Sequence, residues 1–454
     1  MSQSILYYST NHTAPKVTFG EALLKGLAPD KGLYLPDSIP TFTLHEIESF
    51  THKSYPDIAY EVFSKFFGDE IPADELRAMC HDAYNFEVPL EHVYERKYVM
   101  RLDQGPTASF KDFAGQMMGR LMHYFLKQKK SHKLILTATS GDTGSAVARA
   151  FYKLSNINVA VLFPHKEISE RQRRQMTTLQ DNIKLISIDN KFDDAQALVK
   201  KAFSDPDLEH LELTSANSIN IGRLIPQIVY YIYAYSRLAQ SPTDTITFSI
   251  PSGNFGDMMG CVLASKMGLP VHKILVAINE NNEFEELLTK KTYAKINPSI
   301  NCISNAMNVG HPSNLARLIE LYGGSMNEEG VISKNPDFDS LQRDFFTISV
   351  DDTLTKTTIS EAWKNYSLML EPHGAVGWHC LQHYCKQEHV SVNELCVCLE
   401  TAHPAKFPDA VIEQTGTNPE LPKSMKDLEQ KEEHFDSIDG SYKVFKQYLL
   451  DNYS

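Results

Sequence analysis

Between residues 133 and 279 two hydrophobic rhythms alternate along the chain. Short, nearly continuous apolar runs occur at 133–139 (KLILTAT), 157–164 (INVAVLFP), 183–189 (IKLISID), 245–251 (TITFSIP) and 272–279 (HKILVAIN). Between them lie segments whose apolar positions recur every three to four residues, at 144–154, 168–179, 192–205 and 257–268, with a longer one at 219–239. The first rhythm predicts buried strands and the second helices. Their alternation predicts an α/β protein built from βαβ units around largely parallel sheets.

The flanks are less regular. Residues 42–68 read as helical, with prolines before and within the run, and 30–40 as a turn-rich loop. Residues 280–350 read as loop-rich. Beyond them come a helix at 353–370, a turn into a helix at 371–387 and a strand at 394–402. From 420 the tail is charged and ends in a helix. A chain of 454 residues exceeds what one core supports. The pattern divides it into an N-terminal segment 1–98, a sheet domain 99–243, and a second sheet domain 244–454 that includes the tail.

Composition narrows the function classes. Hydrophobic residues make up 42% and charged residues 22%, ordinary values for a globular protein. The net charge of −13 argues against nucleic acid and anionic membranes as partners. No apolar stretch is long enough to span a bilayer, and the start lacks the pattern of a secretory signal. Seven cysteines are scattered along the chain. Cys396 and Cys398 share one face of a strand, and no further ligands stand at the spacing of a metal site, so no metal is expected. Free thiols suit a reducing, cytoplasmic compartment.

The candidate chemistry lies where strands end. After 133–139 comes Ser140 to Ala146 (SGDTGSA); after the strand ending near 250 comes Pro251 to Met258 (PSGNFGDM). Both are glycine turns that open a helix, where exposed N–H groups make an anion site. A single such turn is ordinarily just a tight connection; two, each with Ser-Gly-(Asp/Asn), suggest more. Neither matches a nucleotide loop, so a nucleoside triphosphate or NAD is not favoured. Lys111 is the third feature. Ser109 and Asp112 have the spacing of a capping box, and Phe113, Met117, Met118, Leu121, Met122 and Phe125 form a helical apolar face. Lys111 thus falls in the first turn, where the helix dipole and burial both lower an amine's pKa. That makes it a candidate imine former or general base, although a solvated lysine is the commoner occupant of such a position.

The segments SFKDFAG, TATSGDTGSAVARAF, TSANSINIGR, PSGNFGD, EPHGAVG and TAHPAKF occur in this order. Together they closely resemble the threonine synthases, in their longer bacterial and fungal branch. The likeness runs from FGEALLKGLAPDKGLYLP near the start to about residue 411. It implies the tryptophan-synthase-β-like fold (fold type II of the pyridoxal-phosphate enzymes): two open parallel-sheet domains with the cofactor in the cleft, plus an N-terminal segment.

The resemblance also implies roles. Lys111 becomes the catalytic lysine that holds pyridoxal 5'-phosphate as an imine. Gly253, Asn254, Phe255 and Gly256 hold the cofactor phosphate, and Thr401 meets the pyridine nitrogen. Ser140, Gly141 and Thr143 face the substrate carboxylate. Asp142 stands where many relatives carry Asn against the cofactor's phenolic oxygen; an aspartate there has to be protonated or turned aside. Asn217, Ser218 and Arg223 bind the substrate phosphate, with Asn220 and Lys406 as secondary candidates. His373 and His403 are read as structural. The implied reaction takes O-phospho-L-homoserine and water to L-threonine and phosphate, in a monomer or homodimer. Related phospho-lyases on the same frame release phosphate, ammonia and 2-oxobutanoate, and the cofactor motifs do not separate the two outcomes.

Overall fold

A computed structural model describes residues 5–139, 141–166 and 168–453. Its large sheet has six strands, in the order Phe345–Ser349, Val271–Ile278, Ile246–Pro251, Leu395–Glu400, Lys97–Arg101 and Leu90–Tyr94. All neighbours run parallel except the last pair, a hairpin. The small sheet has five parallel strands: Asp436–Ser437, Ile183–Ile188, Ile157–Pro164, Lys133–Ala138 and Leu213–Thr214. Helices cover both faces. The central strands Ile246–Pro251 and Leu395–Glu400 are therefore buried at every position. This explains why they read as continuous apolar runs rather than alternating ones.

The boundaries drawn at 99 and 244 cut across these sheets. Lys97–Arg101 pairs with Leu395–Glu400, so the chain begins the large sheet before it crosses to the small one. The tail then returns to the small sheet. Asp436–Ser437 pairs with Ile186 and Ser187, and the helix Tyr442–Tyr453 buries Phe445 and Leu449 against that sheet's core. A local pattern predicts a strand but not which distant edge completes it.

Two other segments differ from the sequence expectation. The run 219–239 is not one helix: Ile221–Leu224 is followed by a tighter 3-10 turn, Ile225–Ile228, and then by Val229–Leu238. Pro226 lies at the break, where it removes an N–H and crowds the preceding turn. The loop-rich 280–350 contains the helices Glu283–Lys290, Leu315–Leu321 and Phe338–Asp344, and the edge strand of the large sheet.

The N-terminal segment packs on the helix Lys111–Lys129 through edge-on aromatic contacts of Tyr55 and Phe86 with Phe113. It also presses against the 215–223 loop. A Cβ on Gly222 would lie 2.2 Å from Leu23 Cδ1, so a side chain there would have to displace Leu23.

Candidate active site

The helix carrying Lys111 starts at that residue, as expected, but without the capping box. Phe110 is the N-cap and contributes no side-chain bond. The Ser109 hydroxyl is buried without a partner among the described residues. Asp112 instead turns back and accepts from the backbone N–H and the hydroxyl of Thr107, each at 2.8 Å. The preceding loop is stitched to the end of strand Leu395–Glu400: the Phe110 N–H donates to the Thr401 carbonyl at 2.9 Å, and the His403 N–H donates to Ala108 at 3.0 Å. Ala108 adopts a φ of 55°, strained backbone of the kind that concentrates at functional sites. Lys111 is thereby fixed beside Thr401.

Burial lowers the pKa of the Lys111 amine, and Lys406 and Arg223 push it the same way; Asp142 and Asp257 oppose them. The amine lies 3.8 Å from an Asp142 oxygen. The Asp142 carboxylate faces two cations, which favour its ionised form. Burial opposes the charge, but Lys406 and Lys111 hold the carboxyl well below its ordinary range. Lys406 is fully buried, with its Nζ 2.6 Å from Asp142 and 3.1 Å from the Thr107 carbonyl. Gln172 donates to the same carboxylate at 3.1 Å. A secondary candidate in the sequence, Lys406 is the principal counter-charge of the site.

Other functional neighbours carried no readable signal. Asp257 follows the second turn and its carboxyl is raised by burial from 3.8 to about 7. Gln175 donates to Thr107, and Arg171 to the Ala405 carbonyl. Both lie on the helix Glu170–Thr177, a polar stretch in which nothing marks the inward residues.

The two turns differ in what they leave open. The Thr139 hydroxyl accepts from the N–H groups of Gly141 and Gly144 at 2.9 and 2.8 Å. The Gly141 N–H is thus spent, whereas those of Asp142 and Thr143 have no partner among the described residues. Ser140 lies outside the described residues. In the second turn the N–H groups of Gly253, Asn254, Phe255 and Gly256 have no partner among the described residues. Phe255 takes a φ of 60°, and a Cβ on Gly253 would meet the Ala306 carbonyl at 2.8 Å. The Asn254 side chain fastens the turn, donating to the Ser218 hydroxyl at 2.6 Å and accepting from the Ser313 N–H at 2.5 Å.

Arg223 is buried and among the described residues gives one bond, to the Ala216 carbonyl at 2.9 Å, and its Nε has no partner there. Burial lowers its pKa to about 10. Asn217 accepts from the Thr137 hydroxyl at 2.9 Å. Asn220 is not placed to bind a ligand. Its amide donates to the carbonyls of Leu23 and Ser215 and accepts from the Gly222 N–H, clamping the loop to the N-terminal helix. His373 is held between Glu371 and the Ala306 N–H, and His403 accepts from the Ala405 N–H; both roles are structural.

Unspent N–H groups at two helix starts, an orphaned guanidinium N–H and an amine driven toward neutrality fit a phosphorylated aldehyde cofactor beside an anionic amino acid. Sequence profiles agree. That of the pyridoxal-phosphate dependent enzymes matches residues 87–401. The threonine synthase N-terminal and C-terminal profiles match 6–84 and 374–449. A threonine synthase of Pseudomonas aeruginosa is 36% identical over 449 residues, covering 94% of both chains.

The chain belongs to the threonine synthase family.

The Escherichia coli threonine synthase is 36% identical over 421 residues, covering 92% of this chain and 93% of its own. Among solved threonine synthases, that of Brucella melitensis with pyridoxal phosphate bound matches with a TM-score of 0.92 at 35% identity, covering 99% of this chain and all of that one. The yeast enzyme matches at 0.90 with 29% identity and 98% coverage of each chain. A tomato threonine deaminase shares the fold alone, at 0.54 with 19% identity over 76% of this chain. The threonine synthase frame thus extends through the N-terminal segment that clamps the 215–223 loop.

Proposed function

We propose that this chain converts O-phospho-L-homoserine and water to L-threonine and phosphate with pyridoxal 5'-phosphate. The observation that carries the proposal is the position of Lys111. A largely buried amine of lowered pKa stands at a helix start, between a turn on each sheet that keeps N–H groups without a partner among the described residues. The Gly253–Gly256 turn would hold the cofactor phosphate, and the Thr401 hydroxyl would meet the pyridine nitrogen. A hydroxyl there leaves the ring neutral, which suits elimination and replacement at Cβ. Once bound, the cofactor supplies an electron sink that acidifies the hydrogens on substrate Cα and Cβ.

Lys111 takes the proton from Cα, carries one from Cβ to Cγ as phosphate leaves, and returns one to Cα after water has added at Cβ. The Asp142 and Thr143 N–H groups receive the substrate carboxylate, and Lys406 cancels the Asp142 charge that would otherwise repel it. Arg223, with its unpaired Nε, grips the phosphate that leaves Cγ, beside Asn217 and Ser218. Closing these groups around the substrate limits bulk water to the one molecule that adds at Cβ. The seven cysteines are all unpaired, in keeping with the cytoplasm. Among the described residues no helix is long and apolar enough to cross a membrane.

Borohydride reduction of cofactor-saturated protein followed by peptide mapping should place the pyridoxyl group on Lys111. A label on another lysine ends the assignment. Product analysis with phosphohomoserine should give threonine; 2-oxobutanoate and ammonia would move the chain to the phospho-lyases.

A further inference from the structure

Arg317 lies on the helix Leu315–Leu321 and is fully hidden from solvent. No carboxylate among the described residues pairs with it. Its hydrogen bonds all go to neutral oxygens. Nε donates to the Tyr34 carbonyl at 3.0 Å, Nη2 to the Ile219 carbonyl at 2.7 Å, and Nη1 to Asn314 Oδ1 at 2.6 Å and the Ser218 carbonyl at 3.4 Å. Burial lowers its pKa to about 9, so it remains charged at neutral pH. A buried cation without a counter-ion is expensive, and neutral acceptors offset only part of the cost.

The bonds point to where the missing anion belongs. Asn314 is also fully buried. It accepts from Arg317 with Oδ1, and with Nδ2 it donates to the Asn254 carbonyl at 2.8 Å and the Ser218 carbonyl at 3.3 Å. In a trans peptide the carbonyl and the following N–H point in opposite directions. Holding the Asn254 carbonyl therefore turns the Phe255 N–H away from Asn314, and that N–H is one of the unspent donors of the turn. Guanidinium, side-chain amide and peptide are aligned head to tail, each polarising the next.

We propose that Arg317 is a positioning residue whose charge, relayed by Asn314 through the Asn254–Phe255 peptide, is the counter-charge for the phosphate seated in the Gly253–Gly256 turn. This rests on that turn holding the cofactor phosphate. It also accounts for a phosphate seat formed without a lysine or arginine of its own.

The test compares two aldehydes that differ only in the phosphate. Full-length protein stripped of cofactor with hydroxylamine is titrated with pyridoxal 5'-phosphate and with pyridoxal. Arg317→Met should raise the Kd for pyridoxal 5'-phosphate by roughly 10- to 100-fold, the range of one charge-assisted contact. It should change the Kd for pyridoxal by less than about threefold, and Arg317→Lys should recover part of the loss. Asn314→Asp keeps an acceptor for Arg317 while cancelling its charge and removing the donor to Asn254. It should show the same phosphate-selective loss, and it decides the matter if Arg317→Met does not fold. Variants that bind the phosphorylated aldehyde as the parent does, or lose both aldehydes equally, overturn the proposal. An unsubstituted chain that forms no imine with either aldehyde would instead sink the Lys111 assignment.

Discussion

Replacing Lys406 by methionine tests how the cleft balances its charges. Asp142 is almost fully buried and has two cations within reach: Lys406 at 2.6 Å and Lys111 at 3.8 Å. Coulomb attraction falls as the inverse of distance, so Lys406 contributes about 1.5 times as much as Lys111, the ratio 3.8/2.6. At an effective dielectric of ~20 the two attractions are ~6 and ~4 kcal/mol before desolvation. Lys406→Met removes the larger and leaves a buried carboxylate with the smaller. The expected loss is about 3–5 kcal/mol, as for other buried pairs stripped of one partner. Urea unfolding of cofactor-free protein, in which Lys111 is a free amine, followed by tryptophan fluorescence with Trp378 buried, measures it. Asp142→Asn in the same background removes the stranded charge and should recover most of the loss. The single variant should also raise the Lys111 pKa, because a repelling cation is gone and Asp142 is free to turn toward the amine. The acidic limb of kcat/KM then moves to higher pH. A single variant within about 1 kcal/mol of the parent, or a double variant no more stable than the single, refutes the reasoning.

Three further outcomes are expected. Burial raises the Asp257 carboxyl from 3.8 to about 7, so between those values the folded chain holds a proton that the unfolded chain has released. This group's contribution to stability therefore falls as pH rises from about 4 to about 7 and is level above; Asp257→Asn should flatten that slope in urea titrations, and an unchanged slope counts against it. Arg223→Ala should raise KM for phosphohomoserine by tenfold or more, as loss of a charge-assisted contact implies, with little change in cofactor affinity; equal losses of both would remove its phosphate role. A Cβ on Gly374 would lie 1.5 Å from the fully buried Glu400 Oε2, so Gly374→Ala should cost about 1–3 kcal/mol in the same unfolding assay, and a variant as stable as the parent would contradict the packing.

Much of the frame could be read along the chain. The strand 157–164 coincides with Ile157–Pro164, and Lys111 opens its helix, because hydrophobic period and turn residues act over a few neighbours. The same locality misled at Ser109 and Asp112. Their spacing matched a cap, but the carboxylate found a better donor in Thr107. It misled at Asn220 too, a polar residue beside the substrate loop whose amide is spent on the backbone of the N-terminal helix.

The sequence by itself determined the α/β class and the helix-opening turns, since each follows from short-range periodicity and backbone chemistry; it singled out Lys111 only through the family resemblance. Only the tertiary structure decided that Lys97–Arg101 completes the sheet of Leu395–Glu400 and that the tail returns to the small sheet. It likewise decided that Lys406 neutralises Asp142 and that Arg317 joins Tyr34, Ile219 and Asn314. Those partners are far apart in the chain, and whether a buried charge or strand edge is compensated depends on what folding brings against it.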